Sequence, residues 1–335
     1  MRNLVIPENY RPVLDISETQ RAIKTVKDTF ERVLSNALNL ERVTAPVIVR
    51  ANSGINDDLN GVERKVHFTM KEIGGEAEVV QSLAKWKRMA LMRYGFKEGS
   101  GLYTDMSALR RDDDADNLHS IYVDQWDWEK VITANERTLD FLKQTVISIV
   151  RAVCATHLTV KASYPELKFM TCETPFFITS QELEDLYPQL TPHERENEIT
   201  RQKKTVFIMQ IGDTLKSGKR HDGRAPDYDD WRLNGDLLMW SDILNRAIEL
   251  SSMGIRVDER SLTEQLKKSG CEDRMKYEYH QKIANGTLPL TIGGGIGQSR
   301  LCMLILEKAH IGEVQSSVWS EDMERQCCGG GIVLL

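Results

Sequence analysis

The sequence predicts an α+β fold in which helices and strands are mixed along the chain. Apolar residues recur at helical spacing in residues 17–39 and predict a long amphipathic helix. Residues 101–111 and 118–129 alternate as strands do, and the acidic loop 112–117 joins them. Strands joined by a short loop pair antiparallel, so the sheet should contain at least one antiparallel hairpin.

The length and the uniform composition of the chain favour a single domain that spans residues 1–335. The 335 residues, 41% of them hydrophobic, suffice for one large domain or two smaller ones. No internal repeat or low-complexity linker interrupts them, which favours the single domain. We expect an N-terminal extension at about residues 1–15 and a C-terminal tail at about residues 321–335, where the run Cys-Cys-Gly-Gly-Gly lies.

The first third of the chain begins with the helix. Ser17 and Gln20 are spaced as a capping box, so the helix should begin there and end near Asn39. Residues 43–49 are apolar and β-branched, but Pro46 removes a backbone donor, which favours an edge or interface strand. The pattern then predicts a loop at 52–61, strands at 62–70 and 78–83, and a helix at 84–92.

The helix at 84–92 carries three cations whose environment the sequence leaves open. Lys85 and Arg88 are three residues apart, and Lys87 lies between them in sequence. A solvated basic face is the common explanation of such a pattern. The alternative is that Lys87 points into a pocket.

The return strand of the hairpin has two different faces. Alternation places Trp126 and Trp128 together, which is most simply a core face. Gln125 and Asp127 share the opposite face, and core packing does not explain them. That face is either solvated or lines a polar site.

The second half of the chain predicts further strands and helices. The helices expected there are 129 to about 158, 180–187, one beginning after the N-cap Thr191, 258–269 and 272–285. The strands expected there are 175–179, 205–211, 234–240 and 249–257. Between them, residues 216–230 are dense in charge, and a surface loop of this sort is usually only solvated.

A glycine-rich stretch at residues 291–300 is the most distinctive local feature. Thr291 and Ile292 predict a strand end, the glycines a tight passage, and residues 298–308 a buried helix. Arg300 would lie in the first turn of that helix, where a cation is usually disfavoured. Its presence there therefore suggests that Arg300 binds an anion or stacks on a planar ring. A helix–strand packing site with a solvated arginine is an equal alternative on this stretch alone.

Composition excludes several classes of protein. A net charge of −6 gives no global basic field for nucleic acid, and no apolar run approaches the length of a membrane span. The N-terminus does not resemble a secretory signal. Six scattered cysteines form no C-x-x-C pair, which argues against zinc and for reduced thiols. We expect a cytoplasmic protein that binds neither nucleic acid nor membrane.

Four pieces of the chain together resemble the motifs of class II aminoacyl-tRNA synthetase catalytic domains. Residues 43–48 after the first helix resemble motif 1, and Arg110 with the return strand 124–129 resembles motif 2. The segment 249–256 resembles the corresponding strand of the aspartate branch. Residues 293–300 resemble motif 3.

A closer resemblance is to the ammonia-dependent asparagine synthetases, the aspartate–ammonia ligases. It runs from about residue 16 to about residue 320 and rests on seven motifs in order, at residues 82–88, 101–104, 119–129, 221–231, 233–236, 249–257 and 291–301. Three features depart from that family. The join between Trp231 and Leu233 is short, Gln81 stands where a histidine is usual, and the Cys-Cys-Gly-Gly-Gly run matches nothing in it.

The resemblance implies both a fold and a reaction. The fold is a mixed, mainly antiparallel sheet flanked by helices, in a homodimer built through the helix 17–39 and the strand of Pro46. In the reaction, the β-carboxylate of L-aspartate attacks the α-phosphorus of ATP, and ammonia then displaces AMP from aspartyl-β-AMP. Negative charge develops on the phosphoryl oxygens, so fixed cations and Mg²⁺ are expected there.

The resemblance also implies roles for particular residues. The residues expected to be catalytic are Asp57, Lys87, Arg110, Gln125 and Asp229, with Arg110 on the α-phosphate and Asp57 near the arriving ammonia. Those expected to bind the amino-acid substrate are Asp127, Arg224 and Ser252. Those expected to bind the nucleotide are Leu118, Ser120, Val123, Leu250, Ser251, Arg256 and Arg300, the last stacked on adenine. Asp236 and Glu249 are expected to hold Mg²⁺.

Two other functions are open at this point. The first is a tRNA-charging aspartate or asparagine synthetase core, against which stand the acidic charge and the lack of a separate anticodon-binding domain. The second is a non-catalytic relative that binds aspartate or AMP, against which stands the presence of Arg110 and Glu249. Weak use of glutamine is a further possibility, although no cysteine follows Met1 and no amidotransferase domain is added.

Overall fold

The computed structural model describes residues 4–57, 59, 63–72, 74–170 and 174–335. Its strands are β1 (Leu40–Arg42), β2 (Ile48–Arg50), β3 (His67–Met70), β4 (Gly75–Val79), β5 (Gly101–Leu109), β6 (Tyr122–Val131), β7 (Phe176–Thr179), β8 (Thr205–Met209), β9 (Asp229–Ser241), β10 (Arg246–Arg256) and β11 (Thr291–Gly297). Its helices are α1 (Ile16–Leu38), α2 (Ala84–Tyr94), α3 (Leu139–Ser163), α4 (Ser180–Leu186), α5 (Pro192–Lys203), α6 (Glu259–Ser269), α7 (Glu278–Ala284), α8 (Gln298–Ile305) and α9 (Glu321–Gly329).

The strands form two sheets within the described residues. The main sheet has the order β1-β5-β6-β11-β10-β9-β8-β7, and the small sheet has the order β2-β4-β3. The pairs β1–β5 and β7–β8 are parallel, and the other pairs are antiparallel. This confirms the prediction of a mixed, mainly antiparallel sheet with flanking helices.

The alternation of β6 determines which face of the main sheet is core. Trp126 and Trp128 are fully buried in the largest hydrophobic cluster, where the Trp126 ring lies 4.7 Å from that of Phe30 on α1. The opposite face of β6 carries Gln125 and Asp127, and α2 packs against that strand. Helices therefore cover one face completely and the other in part, which leaves room for a polar site beside α2.

Helix α1 begins two residues earlier than predicted. Asp15 is its N-cap and accepts from the backbone N–H of Glu18, whose carboxylate accepts in turn from the backbone of Asp15. The predicted box of Ser17 and Gln20 is therefore wrong, because Ser17 already lies inside the first turn. The C-cap is Asn39 in a left-handed conformation, as the predicted end requires.

The segment around Pro46 is not the single strand predicted at 43–49. Residues 40–42 form β1 at one edge of the main sheet, and residues 48–50 form β2 in the small sheet. Pro46 lies between the two strands, where its missing N–H interrupts no ladder. Of the strand predicted at 62–70, residues 67–70 are observed as β3, residues 63–66 are not in a strand, and Val62 lies outside the described residues. The strand predicted at 78–83 is misplaced, because β4 ends at Val79 and residues 80–83 lead into α2.

Helix α3 begins ten residues later than the predicted start at Glu129. Residues up to Val131 complete β6, because the alternation of that strand continues through Glu129. α3 is long and apolar enough to be a candidate membrane span, contrary to the expectation that no stretch approaches one. However, 56% of its most apolar window is buried inside the fold. It packs on α1 as a core helix does.

The two ends of the described chain pack against the core and against each other. Residues 321–329 form α9, and Cys327 and Ile332 are buried in the largest hydrophobic cluster. Tyr10 donates a hydrogen bond to the Glu313 carboxylate at 3.0 Å, and the Val5 backbone donates to Asn117 at 2.7 Å. The C-terminal segment thus differs from the tail expected there.

Candidate active site

A cavity of about 570 Å³ opens on the polar face of the main sheet. Its walls come from β6, β10 and the end of β11, from the acidic loop after β5, and from the charged loop before β9. The predicted site residues that line it are Arg110, Leu118, Ser120, Val123, Gln125, Arg224, Glu249, Leu250, Ser251, Ser252 and Arg300. Segments distant in sequence therefore meet here, as the motifs require.

Arg110 and Arg300 are the two cations of the cavity walls without a close carboxylate partner at hydrogen-bond distance in the described structure. Arg110 makes only long contacts, with Nε and Nη2 each 3.4 Å from the backbone oxygen of Gln81. Arg300 donates to the backbone oxygen of Glu249 at 2.9 Å, and its nearest carboxylate oxygen on Glu249 is 3.8 Å away. Both guanidinium groups can therefore turn toward a ligand at little cost.

Beneath the cavity, Arg256 is enclosed by two carboxylates. Its guanidinium donates to Glu129 at 2.7 and 3.0 Å and also to Asp229, and all three side chains are buried. Burial alone would raise the pKa of Glu129, but the charge of Arg256 and its hydrogen bonds outweigh burial and lower that pKa. Arg256 is not among the residues that line the cavity, and its contact with the nucleotide stays a prediction.

Two glycines of β11 make room for these side chains. Gly293 lies opposite Glu129, and a Cβ at Gly293 would collide with the Glu129 carboxylate and approach an Arg256 nitrogen. A Cβ at Gly295 would collide with the side-chain oxygen of Gln125. The predicted tight passage is therefore a strand in its own right, made of glycine because polar side chains of β6 and β10 occupy the space above it.

Lys85, Lys87 and Arg88 of α2 are all buried, so the solvated basic face is wrong. Lys87 contacts the Asp127 carboxylate and donates to the backbone oxygen of Gly294 at 2.9 Å. Arg88 donates to the backbone oxygens of Pro289 and Val257 at 3.0 and 2.7 Å. Burial lowers the pKa of Lys87 in spite of the neighbouring carboxylate. Lys87 is therefore buried in a polar cluster but is not among the residues that line the cavity, so its place in a pocket stays a prediction.

Asp57 lies close to the charged loop and is not among the residues that line the cavity. Its side chain is buried, and its Oδ1 is 3.8 Å from Lys85 Nζ. Tyr228 is near enough for the Asp57 charge to contribute to the raised pKa of that phenol, after burial as the main cause. The second part of the charged loop, residues 225–230, is accordingly packed inside the protein, whereas residues 216–220 and Asp222 are exposed as expected.

Asp236 and Glu249 fit the requirements of a magnesium site. Asp236 lies on β9 opposite Ser252, and Glu249 lies on the neighbouring strand β10. One oxygen of Asp236 contacts Arg224, and the other, Oδ1, is buried without a hydrogen-bond partner in the described part of the chain. Burial raises the pKa of Asp236 to about 7, although the Arg224 charge opposes the rise. Mg²⁺ takes one or two carboxylates together with phosphate and water oxygens, and this pair offers them.

Comparison with known proteins decides the family. The family of aspartate-ammonia ligases matches residues 17–330. The chain belongs to the aspartate–ammonia ligase family. The aspartate–ammonia ligase of Ruminiclostridium cellulolyticum is 59% identical over 336 residues and is covered completely by this chain, which is also covered completely. That of Clostridium tetani is 57% identical, with 99% of this chain and 98% of the relative covered. The resemblance predicted from the motifs is thereby confirmed.

Solved structures relate this ligase to the class II aminoacyl-tRNA synthetases by fold. The asparaginyl-tRNA synthetase of Pyrococcus horikoshii complexed with asparaginyl-adenylate matches with a TM-score of 0.65 at 16% identity, covering 89% of this chain and 68% of that one. The asparaginyl-tRNA synthetase of Entamoeba histolytica, also with asparaginyl-adenylate, matches with a TM-score of 0.61, again at 16% identity, covering 90% of this chain and 66% of that one. The fold class is therefore confirmed.

Three residues of the ligase site were not singled out from the sequence. Glu129 could have been found from the sequence, because it continues the two-residue alternation of Gln125 and Asp127. The prediction instead took Glu129 as the start of a helix. Lys85 and Asp227, which form a buried pair at 2.8 Å, gave no such signal. The two members of this pair are more than a hundred residues apart in sequence, so no local pattern connects them.

Proposed function

We propose that this chain makes L-asparagine from L-aspartate and ammonia, with ATP cleaved to AMP and pyrophosphate through aspartyl-β-AMP. The observation that carries the proposal is the placement of Arg110 and Arg300 on the walls of one cavity that the polar side chains of Gln125, Arg224 and Glu249 also line. Cations at the reacting phosphate and a polar floor for an amino acid are what adenylation of a carboxylate requires.

The amino-acid substrate would lie over β6 and the charged loop. Asp127 Oδ2 is buried and has no hydrogen-bond partner in the described ranges, so it can accept from the α-ammonium group of aspartate. Arg224 and Ser252 on the wall, with Gln125 and Lys87 beneath, offer donors to its carboxylates. Asp229 supports this floor through its pair with Arg256.

The nucleotide would occupy the wider part of the cavity. Leu118, Ser120 and Val123 form one wall, and Leu250 and Ser251 form another. Arg300 would stack on the adenine ring, because a planar guanidinium suits that contact. Arg110 would meet the α-phosphate and the attacking β-carboxylate, and its long contacts to Gln81 leave its donors available. Its positive charge would stabilise the transition state as charge develops on the phosphoryl oxygens.

Mg²⁺ would neutralise charge on the phosphates when it is bound. Asp236 and Glu249 would hold it, and the unpartnered Asp236 Oδ1 supports that assignment. Arg224, which contacts the other oxygen of Asp236, would orient that carboxylate.

Ammonia would enter on the side of Asp57. A buried carboxylate at that position can bind ammonium and take its proton before the nitrogen attacks the β-carbonyl carbon. The carbon–oxygen bond to AMP then breaks, and AMP leaves with that oxygen. Side chains supply no covalent nucleophile, because the adenylate is already activated.

We further propose one domain for the whole chain, a homodimer and a cytoplasmic location. The exposed apolar residues Val47 and Ile48 beside Pro46, which are 54% and 43% exposed, are suited to cover by a second copy against α1. Analytical sedimentation of the purified chain measures its oligomeric state directly. A sedimenting monomer at micromolar concentration would contradict the dimer.

The proposed reaction is tested by ATP–pyrophosphate exchange. We expect exchange that depends on aspartate without any tRNA, and asparagine once ammonium is added. Addition of tRNA is the control for a tRNA-charging enzyme, and it should change neither activity. Exchange that requires tRNA would contradict the proposal, and so would the absence of any exchange, which is the behaviour of a non-catalytic relative.

A further inference from the structure

Lys85 is a buried cation for which the proposed chemistry has no use. Its ammonium group is 4% exposed and lies 2.8 Å from Asp227 Oδ2 and 3.8 Å from Asp57 Oδ1. It lies on the first turn of α2, two residues before Lys87, which serves the opposite part of the site floor. Two lysines of one short helix thus contact two different clusters of carboxylates.

Asp227 does not depend on Lys85 alone. The same oxygen, Oδ2, accepts from Arg274 Nη1 at 2.8 Å and hydrogen-bonds His280 Nε2 at 2.9 Å. Burial would raise the pKa of Asp227, but the Lys85 charge and these contacts outweigh it and lower the pKa strongly. If Lys85 is removed, two donors still anchor the charged loop that carries Asp227.

The surroundings of Asp57 differ from those of Asp227. The charged and titratable groups that face Asp57 within the described residues include Lys85 from α2, Arg274 from the turn before α7, and Asp227 and Tyr228 from the charged loop. Two buried carboxylates in one cluster repel each other unless a cation lies between them. Lys85 is placed between Asp57 and Asp227, so its loss should affect Asp57 more than the doubly anchored loop.

We propose that Lys85 is a positioning residue for the ammonia-dependent half-reaction, which holds Asp57 in place and ionised by sharing its charge between Asp57 and Asp227. The inference rests on the proposed role of Asp57 in receiving ammonia. Lys85 would touch neither aspartate nor ATP. Its effect should therefore appear in asparagine formation and in the KM for ammonium, and not in the adenylation that precedes them.

The test compares two activities in a cycle of variants. Lys85→Met keeps the length of the side chain and removes its charge. We expect it to lower asparagine formation at least about tenfold while pyrophosphate exchange changes less than about threefold, since general-base assistance contributes about a hundredfold or more. In the double variant with Asp57→Asn, asparagine formation should be no lower than in Asp57→Asn alone, because Lys85 acts through Asp57. Lys85→Arg should recover most of the loss.

His280→Gln is the matched control. It changes another partner of Asp227 without a contact to Asp57, so it should alter both activities by the same small factor. Should Lys85→Met fold poorly, Lys85→Gln replaces it in the cycle. Equal loss of both activities in the Lys85 variant, or losses that multiply in the double variant, would overturn the inference. Failure of the proposed function is recognised separately, as absence of exchange in the unmodified protein.

Discussion

Arg110 should be essential for the reaction and nearly irrelevant to stability. Within the described residues, the hydrogen-bond contacts of its guanidinium are two of 3.4 Å, both to one backbone oxygen of Gln81, beyond the usual hydrogen-bond distance. We expect Arg110→Ala to change the free energy of unfolding by less than about 0.5 kcal/mol, as at an ordinary surface position. One fixed donor at a developing oxyanion contributes about 3 kcal/mol, so exchange should fall about 150-fold.

Arg256 provides the contrasting control, since it is the same residue type a short distance below. Arg256→Met would leave Glu129 and Asp229 buried without their shared cation. Breaking a buried ion pair by removing one partner costs about 3–5 kcal/mol. This variant should therefore lose stability first, and any loss of activity should follow the loss of folded protein.

Both variants are measured by urea unfolding and by aspartate-dependent pyrophosphate exchange on the folded fraction. Exchange near the wild-type rate in Arg110→Ala would place that arginine outside the reaction. A stable Arg256→Met protein with lost exchange would mean that Arg256 meets the nucleotide after all. Either result would refute the assignment of Arg110 to the reaction and of Arg256 to stability.

Three further changes test other parts of the site. Asp57→Asn should impair asparagine formation about a hundredfold and exchange much less, because only the second step needs a base; equal loss in the two assays would place Asp57 on aspartate binding. Asp236→Asn should raise the Mg²⁺ concentration for half-maximal exchange at least about tenfold, a size known even for outer-shell changes; an unchanged Mg²⁺ titration would remove Asp236 from the metal site. Gly293→Ala should cost about 1–3 kcal/mol in unfolding free energy by crowding the Glu129–Arg256 pair, and wild-type stability would show that β11 can shift.

Sequence reasoning found the elements whose pattern is local. The hairpin, the core face of Trp126 and Trp128, and the N-cap Thr191 are observed as predicted. In each case the residues that determine the structure are within a few positions of one another. The family could be predicted because its motifs occur in the expected order along the chain.

The parts that failed depend on distant partners. Lys85 and Lys87 of α2 look like part of a solvated face because their partners lie far away in sequence, on β6, β11 and the charged loop. Glycines 293–297 look like a turn because the side chains that require the space above them belong to β6 and β10. Cys327 gives no sign of burial until the N-terminal residues pack near it. No periodicity within one segment contains this information.

The chemistry of the first step can be followed with one isotope. L-aspartate labelled with ¹⁸O in its β-carboxylate is converted in the presence of ATP and ammonium, and the phosphorus products are analysed by mass spectrometry. Attack of the carboxylate on the α-phosphorus, in the cavity walled by Arg110 and Arg300, predicts AMP that carries one ¹⁸O atom and unlabelled pyrophosphate. ADP together with labelled inorganic phosphate, or AMP without the label, would contradict the adenylate.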